Sequence, residues 1–472
     1  MPAHGGGTEI FMNRFELTEL KPGAHIHFIG IGGISMSGLA EICLEKGYFV
    51  SGSDRTESHI TDKLEKHGAK IYIGHSAENV AGAELVVHTA AVHEDNPEMA
   101  ETLRRGIRRI DRAEFLGAVM KCYKKAIGVS GTHGKTTTTS MLAHALIYTG
   151  NDPTVSVGGE LDIIGGNIKA GKSDYFLTEA CEYTNSFLKF FPTVAVITNI
   201  EEDHLDFFKD IEDIMASFRK FALLTKGKGC VVAWGEDPKI VKALEGTGCK
   251  IIYYGLTDGF DYYAEDLHYN GGFPEFDVMK NGEKLCHIAL NVPGEHNVLN
   301  ALASIAVCDV YGIDPKEAAK GIETFKGTHR RFEKTGELNG APVIADYAHH
   351  PTEIKATLAT AQKFKKDKIW CVFQPHTYTR TKLLWQDFLT CFGAADELVL
   401  TDIYAAREKP DGVTTSEKLA AAIREKLAKK VLYIKDLHDI AKYLRENVKK
   451  GDMVFVMGAG DIIDLTEILN RV

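Results

Sequence analysis

The sequence predicts an α/β protein of three domains, and three observations lead to that prediction. The chain has 472 residues, more than the ~250–300 residues that a single hydrophobic core serves. Its 44% hydrophobic and 25% charged residues are typical of an ordinary globular protein. Short apolar runs repeatedly lead through a glycine-containing turn into a segment with helical periodicity, which indicates parallel sheets covered by helices. Boundaries near 115 and 326 give predicted domains 1–115, 116–326 and 327–472.

Charge and cysteine content exclude several classes of protein. The 55 basic and 65 acidic residues give a net charge of −10, which works against nucleic-acid binding and requires any phosphate ligand to have a local site. The nine cysteines are odd in number and form no C-x-x-C pair, which disfavours disulfide frameworks and zinc clusters. From Met1 through Gly5–Gly7 there is no signal-peptide pattern, and no run approaches ~18 apolar residues. We therefore expect a cytoplasmic protein with no membrane partner.

The first predicted domain begins with a strand over His25–Ile31 and a helix at about Ser35–Lys46, which Gly47 can terminate. Further strands are expected at Ile71 and Leu85–Thr89. A cluster of five arginines is expected to form one solvated helix face rather than a nucleic-acid site; it comprises Arg104, Arg105, Arg108, Arg109 and Arg112.

A glycine turn in this domain is similar to a dinucleotide-binding fingerprint. Gly30, Gly32 and Gly33 follow the first strand, although Ser35 occupies the last glycine position of the pattern. Asp54 lies 24 residues after Gly30, near the position from which an acidic side chain reaches a ribose hydroxyl. The pattern predicts that these residues bind the pyrophosphate and ribose of a nucleotide; the alternative is a tight turn that serves helix packing.

The second predicted domain contains core strands, a long helix and a small antiparallel addition. Strands are expected over Ala126–Ser130, Tyr175–Glu179 and Val194–Asn199, with a helix from Thr136. Residues 259–292 are rich in glycine, asparagine and aromatics with alternating polarity, which indicates hairpins. A helix at about 298–311 then leads to a linker at 326–328.

The strongest local signal is a second glycine turn, between the strand that ends at Ser130 and the following helix. The strict G-x-x-x-x-G-K-[ST] spacing would need glycine where the chain has Val129, so the match depends on Gly-Thr-His-Gly-Lys-Thr. Backbone N–H groups of such a turn surround a phosphate, a lysine neutralises its charge and a threonine hydroxyl can ligate Mg²⁺. The predicted nucleotide-binding residues are Gly131, Thr132, His133, Gly134, Lys135, Thr136 and Thr137.

Acidic residues follow the two neighbouring strands of this domain. Glu179 and Glu182 come after one strand, and Glu201–His204 come after the next. The carboxyl ends of parallel strands meet at one crevice, so these acids and His204 are expected to converge on the phosphate turn. Their carboxylate oxygens suit Mg²⁺, and the imidazole suits a second cation or an anionic substrate, with Glu179 and His204 favoured as functional residues. For Glu201 and Glu202 we expect only a solvated acidic loop.

In the last third of the chain the alternation of strand and helix restarts. Strands are expected over 343–347, 369–373, 398–401, 431–434 and 453–457, each followed by a helix. His349, His350, His376 and Arg380 follow the first two of these strands. They are expected to form a polar, cationic crevice suited to a carboxylate.

These motifs together resemble the Mur ligase family, over nearly the whole chain. The markers are His27–Gly33 with Met36–Gly38, the phosphate turn, Asp95–Glu98, Gly294–Asn297, Gly327–Phe332, the motifs that begin at Asp346 and Phe373, and Gly458–Asp461. The resemblance implies an N-terminal Rossmann-like domain for a UDP-sugar, a central P-loop ATPase-type domain and a C-terminal Rossmann-like domain that contributes the amino-acid site.

The resemblance also implies an activity and residue roles. The implied enzyme is an ATP-dependent ligase of peptidoglycan synthesis that joins L-alanine to the carboxylate of UDP-N-acetylmuramate through an acyl phosphate, using Mg²⁺, as a monomer or weak homodimer. For ATP and its metal, the family pattern assigns Lys135 to the phosphates, Thr136, Glu179 and His204 to the metal region, His296 and Asn297 to adenine, Arg331 to a contact near ATP, and Asp346 to ribose. For the substrates, the pattern assigns Asn167 to the muramyl group, and His349, His376 and Arg380 to the amino-acid end.

Two departures from the family pattern stand out. Where many members have Glu-Ala-Asp-Glu-Ser-Asp, this chain has Glu179-Ala-Cys-Glu-Tyr-Thr184, so no family role is assigned to Glu182. Thr377 replaces a frequent arginine. Two other activities stay open at this point: a murein-recycling ligase that adds a peptide to the same UDP-sugar, and a nucleotide-binding regulator without turnover. Folylpolyglutamate synthase shares the central fold, but the domain containing Gly30 and Asp54 argues against it.

Overall fold

The computed structural model describes residues 15–89, 92–364 and 366–471. The N-terminal stretch from Met1 through Gly7, in which no signal peptide is predicted, lies outside the described residues. The described chain forms two compact units. The first comprises the residues up to 202 with 211–253 and 306–313, and the second comprises 203–210, 254–305 and the residues from 314.

A five-stranded parallel sheet opens the first unit. Its strands are β1 (His25–Ile29), β2 (Phe49–Asp54), β3 (Lys70–Ile73), β4 (Leu85–His88) and β5 (Arg108–Asp111), in the order β3-β2-β1-β4-β5. The helices between them are α1 (Ile34–Glu45), α2 (His59–Lys66), α3 (Pro97–Arg105) and α4 (Arg112–Met120). This order is that of a Rossmann-like sheet, as the sequence predicts. β1 ends two residues earlier than expected, because Gly30 turns the chain with φ +83°.

The prediction that five arginines share one helix face is wrong. Gly106, with φ +66°, ends α3 directly after Arg105, and the chain then enters β5 with Ile110 buried. Arg108 and Arg109 therefore lie on a strand, and Arg112 begins the next helix. A four-residue strand with three polar residues gives too little apolar alternation to be recognised in the sequence.

A second sheet in the first unit is mostly parallel. Its strands are β6 (Lys125–Ser130), β7 (Thr154–Leu161), β8 (Gly166–Lys169), β9 (Tyr175–Glu179), β10 (Val194–Ile197), β11 (Cys230–Trp234) and β12 (Lys250–Gly255), in the order β12-β11-β10-β6-β9-β7-β8. The accompanying helices are α5 (Lys135–Tyr148), α6 (Ile211–Leu223) and α7 (Pro238–Leu244). β6 lies between β9 and β10, parallel to both, so the carboxyl ends of the three predicted strands meet at the turn after Ser130.

The second unit contains an antiparallel meander and a third sheet. The meander consists of β13 (Tyr262–Asn270), β14 (Phe273–Lys280) and β15 (Glu283–Ala289), which confirms the predicted hairpins. Two helices follow, α8 (Glu295–Val310), of which residues 306–310 belong to the first unit, and α9 (Pro315–Glu323). α8 begins three residues before the predicted start at 298, which places His296 and Asn297 in its first turn.

The third sheet has the order β16-β17-β21-β18-β19-β20 and is parallel except for β16. Its strands are β16 (Glu333–Leu338), β17 (Ala341–Asp346), β18 (Ile369–Phe373), β19 (Glu397–Leu400), β20 (Val431–Tyr433) and β21 (Met453–Met457). Its helices are α10 (Pro351–Ala361), α11 (Tyr378–Leu383), α12 (Trp385–Cys391), α13 (Ser416–Leu427), α14 (Leu437–Asn447) and α15 (Asp464–Asn470). All five predicted strands are present, and the three sheets together confirm the α/β class.

Two further expectations concern cysteines and membrane spans. All nine cysteines lie in the described part of the chain and carry free thiols there. Within the described residues, none of the helices combines the length and apolar character that crossing a membrane would require.

Candidate active site

The turn between β6 and α5 has the geometry of a phosphate-binding loop. Gly131 and Gly134 adopt φ +141° and +83°, and Gly134 is the N-cap of α5 with no side-chain hydrogen bond to the helix. The first N–H groups of an α-helix have no partner within the helix, so an uncapped N-terminus can bind an anion. A Cβ at position 131 would lie 1.9 Å from Thr198 Oγ1, so only glycine fits there.

The end of β10 holds this loop in place through an asparagine. The His133 N–H donates to Asn199 Oδ1 over 2.8 Å, and Asn199 Nδ2 donates back to the His133 carbonyl over 3.0 Å. The Thr132 N–H donates to the Asn199 carbonyl over 3.1 Å. A neutral side chain from the neighbouring strand thus fixes the loop backbone without adding charge.

Lys135, the first residue of α5, folds back over the loop. Its ammonium donates to the carbonyls of Gly131 and Thr132 and contacts both carboxylate oxygens of Glu182, at 3.1 and 3.0 Å. Burial alone would lower the lysine pKa, but the charge and hydrogen bond of Glu182, together with Cys181 and Glu179, outweigh burial and raise the pKa. Lys135 is therefore a cation at the mouth of the loop.

Thr136 and Glu179 each lie against a glycine of β7. Glu179, the last residue of β9, accepts a hydrogen bond of 2.6 Å from the Gly158 N–H. A Cβ on Gly158 would lie 2.7 Å from Glu179 Oε2, and one on Gly159 would lie 3.4 Å from the Thr136 methyl group. The Glu179 carboxylate therefore lies against Gly158, and the Thr136 methyl group lies against Gly159. Thr137 lies half-buried in the same first turn of α5.

The first glycine turn is held differently, by an acidic side chain. The N–H groups of Gly30 and Ile31 donate to the Ser53 carbonyl over 2.8 and 3.0 Å, and the Gly33 N–H donates to the Gly30 carbonyl. Asp54 Oδ2 accepts a 2.9 Å hydrogen bond from the Gly32 N–H. The carboxylate predicted to bind a ribose is therefore tied to the glycine turn itself.

Asn167 lies half-buried on β8. Its neighbour Ile168 packs against Gly38 of α1 so closely that a Cβ on Gly38 would lie 2.4 Å away. The strand that carries Asn167 therefore lies beside the helix that follows the Gly30 turn.

The first turn of α8 carries the predicted adenine pair. Asn297 is buried, donates through Nδ2 to the Pro293 carbonyl over 2.7 Å, and accepts through Oδ1 from Asn300. His296 is exposed and contacts Gly294, where a Cβ would lie 2.4 Å from the imidazole. Asn297 therefore shapes the helix start, while the imidazole of His296 faces outward.

Arg331 and Asp346 lie together at the edge of the third sheet. Both oxygens of Asp346 accept backbone hydrogen bonds, from Phe332 at 2.9 Å and from Ala348 at 2.8 Å, and burial raises the pKa of this carboxyl to about 6. Arg331 pairs with Glu353 at 3.3 Å. Burial opposes the arginine charge, but Glu353 and Asp346 outweigh it and raise its pKa.

The predicted amino-acid crevice contains Arg380, which is already paired. One guanidinium nitrogen lies 2.8 Å from Asp203 Oδ1 and another donates to His376 Nδ1 over 2.9 Å. Burial would raise the pKa of Asp203, but Arg380 and His204 lower it strongly. His204 has φ +53° and its N–H donates to Asp203 Oδ1. The structure thus brings His204, Arg380 and His376 around one carboxylate.

The crevice is less cationic than the sequence suggests. Burial lowers the pKa of His349 to about 4, and burial with the nearby Arg380 lowers that of His376. The lowered pKa values favour the neutral form of both imidazoles, whose ring centroids lie 5.7 Å apart. His350 is the N-cap of α10 and accepts a hydrogen bond from the Thr352 N–H, which is a structural role. The positive charge of Arg380 in this set is balanced by Asp203.

Sequence reasoning missed the role of Asn199 and the pairings of Glu182 with Lys135 and of Asp203 with Arg380. Asn199 follows directly on a predicted core strand, so its position at the carboxyl end of that strand was the available signal. The other two pairings join residues 47 and 177 positions apart and leave no local signal. Thr377 has a visible structural role, because its hydroxyl accepts a hydrogen bond from the Arg380 N–H at the start of α11.

Three models of protein families match the chain in succession. They are the Mur ligase family catalytic domain over residues 25–124, the Mur ligase middle domain over 129–308, and the Mur ligase glutamate ligase domain over 330–460. The first two include the glycine turns, and the third includes Asp346 and Arg380.

Curated relatives and solved structures agree with the family models. A UDP-N-acetylmuramate--L-alanine ligase of Clostridium tetani is 55% identical over 93% of this chain and 96% of its own length. One from Clostridium botulinum is 52% identical over 94% of this chain and 96% of its own length.

Two crystal structures share the fold. A UDP-N-acetylmuramate-alanine ligase MurC from Thermotoga maritima has a TM-score of 0.75 and 32% identity, covering 95% of this chain and 98% of its own. A murein peptide ligase from Psychrobacter arcticus has a TM-score of 0.65 and 27% identity, with the same coverage. With its relatives aligned over almost their full length and both glycine turns in place, this chain belongs to the Mur ligase family.

Proposed function

We propose that the protein is an ATP-dependent ligase that joins L-alanine to the carboxylate of UDP-N-acetylmuramate in peptidoglycan synthesis. The observation that carries the proposal is the phosphate loop with Lys135, Thr136 and Glu179 at the carboxyl ends of three adjacent strands. Its support from outside the chain is the name shared by relatives that are more than 50% identical over nearly the whole length.

We divide the work among three domains with boundaries near 115 and 326. In this scheme domain 1–115 binds the UDP-sugar through Gly30, Gly32, Gly33 and Asp54, with Asn167 of domain 116–326 meeting the muramyl group. Domain 116–326 binds ATP through the loop and through His296 and Asn297. Domain 327–472 adds Arg331 and Asp346 to the nucleotide site and His349, His376 and Arg380 to the amino-acid site.

The loop residues fit a magnesium nucleotide. The Thr136 hydroxyl and the Glu179 carboxylate are hard oxygen donors of the kind Mg²⁺ prefers. The carboxylate lies against Gly158, and the Thr136 side chain lies against Gly159 through its methyl group. The fully buried Ser130 hydroxyl, directly before the loop, has no hydrogen-bond partner among the described residues. A bound Mg²⁺ would supply a positive charge to the phosphates, with His204 assigned to the same region by the family pattern.

The chain's own residues then have separable tasks in the reaction. A carboxylate is a poor acyl donor, so it must first be phosphorylated before the alanine amine can displace phosphate. Lys135 holds its charge beside the loop N–H groups, where negative charge must be stabilised during phosphoryl transfer. Glu179, fixed by the Gly158 N–H, keeps an oxygen ligand in place. Alignment of two anions and exclusion of water are the remaining requirements.

The amino-acid end follows from the Arg380 cluster. Asp203 holds the guanidinium in one orientation, and the neutral His376 accepts one of its N–H groups. Arginine has five N–H donors, so further donors stay available to a substrate carboxylate. We therefore assign the alanine carboxylate to Arg380, with neutral His349 nearby. ATP and a UDP-sugar are intracellular metabolites, and we accordingly place the enzyme in the cytoplasm with small molecules as its partners.

A phosphate-release assay tests the proposal. The enzyme is incubated with MgATP and UDP-N-acetylmuramate, and a panel of amino acids is added singly, with a tripeptide as the competing acceptor. We expect release only when the UDP-sugar and an amino acid are both present, fastest with L-alanine. Preference for the tripeptide would favour murein recycling, and release that ignores both co-substrates would contradict the proposal.

A further inference from the structure

Glu182 is a buried acid beside the phosphate loop that the proposed mechanism does not use. Its side chain is 4% exposed, and its two carboxylate oxygens lie 3.1 and 3.0 Å from Lys135 Nζ. Lys135 is 17% exposed on its side chain. Burying either charge alone is costly, so the surrounding residues must hold the carboxylate and the ammonium in contact with each other.

A strained turn holds the backbone of Glu182. Thr184 and Asn185 both adopt left-handed backbone angles, with φ +53° and +58°. The Asn185 N–H donates to the Glu182 carbonyl over 2.9 Å, and Phe187, fully buried, stacks on Phe221 with 4.7 Å between ring centroids. Left-handed non-glycine residues persist where their surroundings over-determine them. The position of Glu182 is therefore specified by packing rather than left to a mobile loop.

The contacts of Lys135 show what Glu182 does to it. A lysine ammonium has three N–H donors, and the acceptors around Lys135 are the carbonyls of Gly131 and Thr132 and the carboxylate of Glu182. All three directions are used. The carboxylate also balances the ammonium charge, which weakens the attraction of the loop for a polyphosphate.

We propose that Glu182 is a positioning residue that fixes the Lys135 ammonium over the loop and balances its charge, so that tight nucleotide binding requires Mg²⁺. The proposal rests on the proposed nucleotide site. With the lysine balanced, the positive charge for a polyphosphate must come from a metal held by Thr136 and Glu179. A purely structural role for Glu182 would leave nucleotide affinity in the absence of metal unchanged.

The test compares Glu182→Gln with Glu212→Gln as a matched control. Glu212 also pairs with a lysine, Lys242, at 2.7 Å, but both side chains are more than 60% exposed. ADP binding is measured by titration calorimetry with Mg²⁺ and with EDTA, and turnover by phosphate release. We expect Glu182→Gln to bind ADP in EDTA at least tenfold more tightly than the unmodified protein and to lose at least tenfold in kcat, with the alanine KM within twofold. Glu212→Gln should change none of these values.

An unchanged affinity for ADP in EDTA in folded Glu182→Gln, within twofold, would overturn the proposal. If Glu182→Gln does not fold, Glu182→Asp decides instead, because it keeps the charge and shortens the side chain. It should lower kcat and leave ADP affinity in EDTA within threefold; tenfold tighter binding would overturn the role of charge. If the unmodified protein binds ADP but joins no amino acid to the UDP-sugar, the proposed function is wrong. The ADP affinities measured in EDTA would still test the role of Glu182.

Discussion

The two glycine turns of the first unit look alike in sequence and are held by opposite kinds of side chain. At the Gly30 turn, the carboxylate of Asp54 accepts the Gly32 N–H over 2.9 Å. At the Gly131 turn, the neutral amide of Asn199 accepts the His133 N–H over 2.8 Å and also donates to the His133 carbonyl. We call the side chain that holds a turn its clamp. In each case the clamp comes from the carboxyl end of a neighbouring strand.

This difference indicates that the charge of the side chain supplied by the neighbouring strand decides which ligand each turn binds, ATP or the UDP-sugar. A carboxylate beside a glycine turn repels phosphate oxygens and attracts hydroxyl donors, which suits the sugar side of a nucleotide. A neutral side chain adds no negative charge beneath the loop, so the N–H groups of the loop and of the helix N-terminus keep their attraction for phosphates. We therefore expect substitutions at one turn to affect ATP alone and substitutions at the other to affect the UDP-sugar alone.

The largest effect is expected from Lys135→Ala. Removing the cation should lower kcat/KM for ATP by about 10³-fold or more, because the phosphates lose a positioned charge during transfer. The dissociation constant of UDP-N-acetylmuramate, measured by calorimetry, should stay within threefold. Lys124→Ala, at a lysine that is 83% exposed, is the control. Equal loss of UDP-sugar affinity would break the separation of the two turns.

The next largest effect is expected from Glu179→Gln. Glutamine can still accept the Gly158 N–H, so the fold should be kept, while the charge that suits Mg²⁺ is lost. We expect kcat to fall about 10²-fold and the Mg²⁺ concentration for half-maximal rate to rise. Steady-state rates over a magnesium series measure both. Normal turnover at limiting Mg²⁺ would remove Glu179 from the metal region.

Asn199→Asp makes the second clamp resemble the first. The aspartate can still accept the His133 N–H, but it cannot donate to the His133 carbonyl and it adds negative charge under the phosphates. We expect MgADP to bind about 5- to 30-fold more weakly, since hydrogen bonds and charges of this kind contribute about 1–2 kcal/mol. Calorimetry measures the affinity, and a circular dichroism spectrum like that of the unmodified protein shows that folding is retained.

Asp54→Asn is the reciprocal change and should have the smallest effect. Asparagine keeps an oxygen for the Gly32 N–H, so the turn should survive. A hydroxyl hydrogen bond to a neutral rather than a charged acceptor is weaker by about 1 kcal/mol, which predicts about five- to tenfold weaker binding of UDP-N-acetylmuramate. Affinity for MgADP should not change, and a shift in ADP binding alone would reverse the assignment.

The sequence predicted both turns well because their signals are local. Glycines between a buried strand and a helix fix a turn regardless of distant contacts, and the helix after the second turn begins at Lys135, one residue before the predicted start. Weakly apolar strands were harder to predict. β16 consists mainly of polar residues that pair with β17 at the sheet edge, so no periodicity marked it.

The charges of the crevice could not be predicted, because they depend on burial and on distant partners. The sequence predicts that His349 and His376 are cations. In the structure desolvation lowers the pKa of each imidazole, which favours the neutral form. Arg380 meets Asp203, 177 residues earlier in the chain. The partner of Lys135 depends on left-handed angles at Thr184 and Asn185, which neither residue type prefers strongly enough to reveal the turn.

One crossed titration tests the central claim that the two turns bind different ligands. Calorimetry is performed on the unmodified protein, Asn199→Asp and Asp54→Asn, each with MgADP and with UDP-N-acetylmuramate. Our account predicts that Asn199→Asp weakens MgADP alone and that Asp54→Asn weakens the UDP-sugar alone. Either substitution weakening both ligands to a similar degree, in a protein that remains folded, would contradict it.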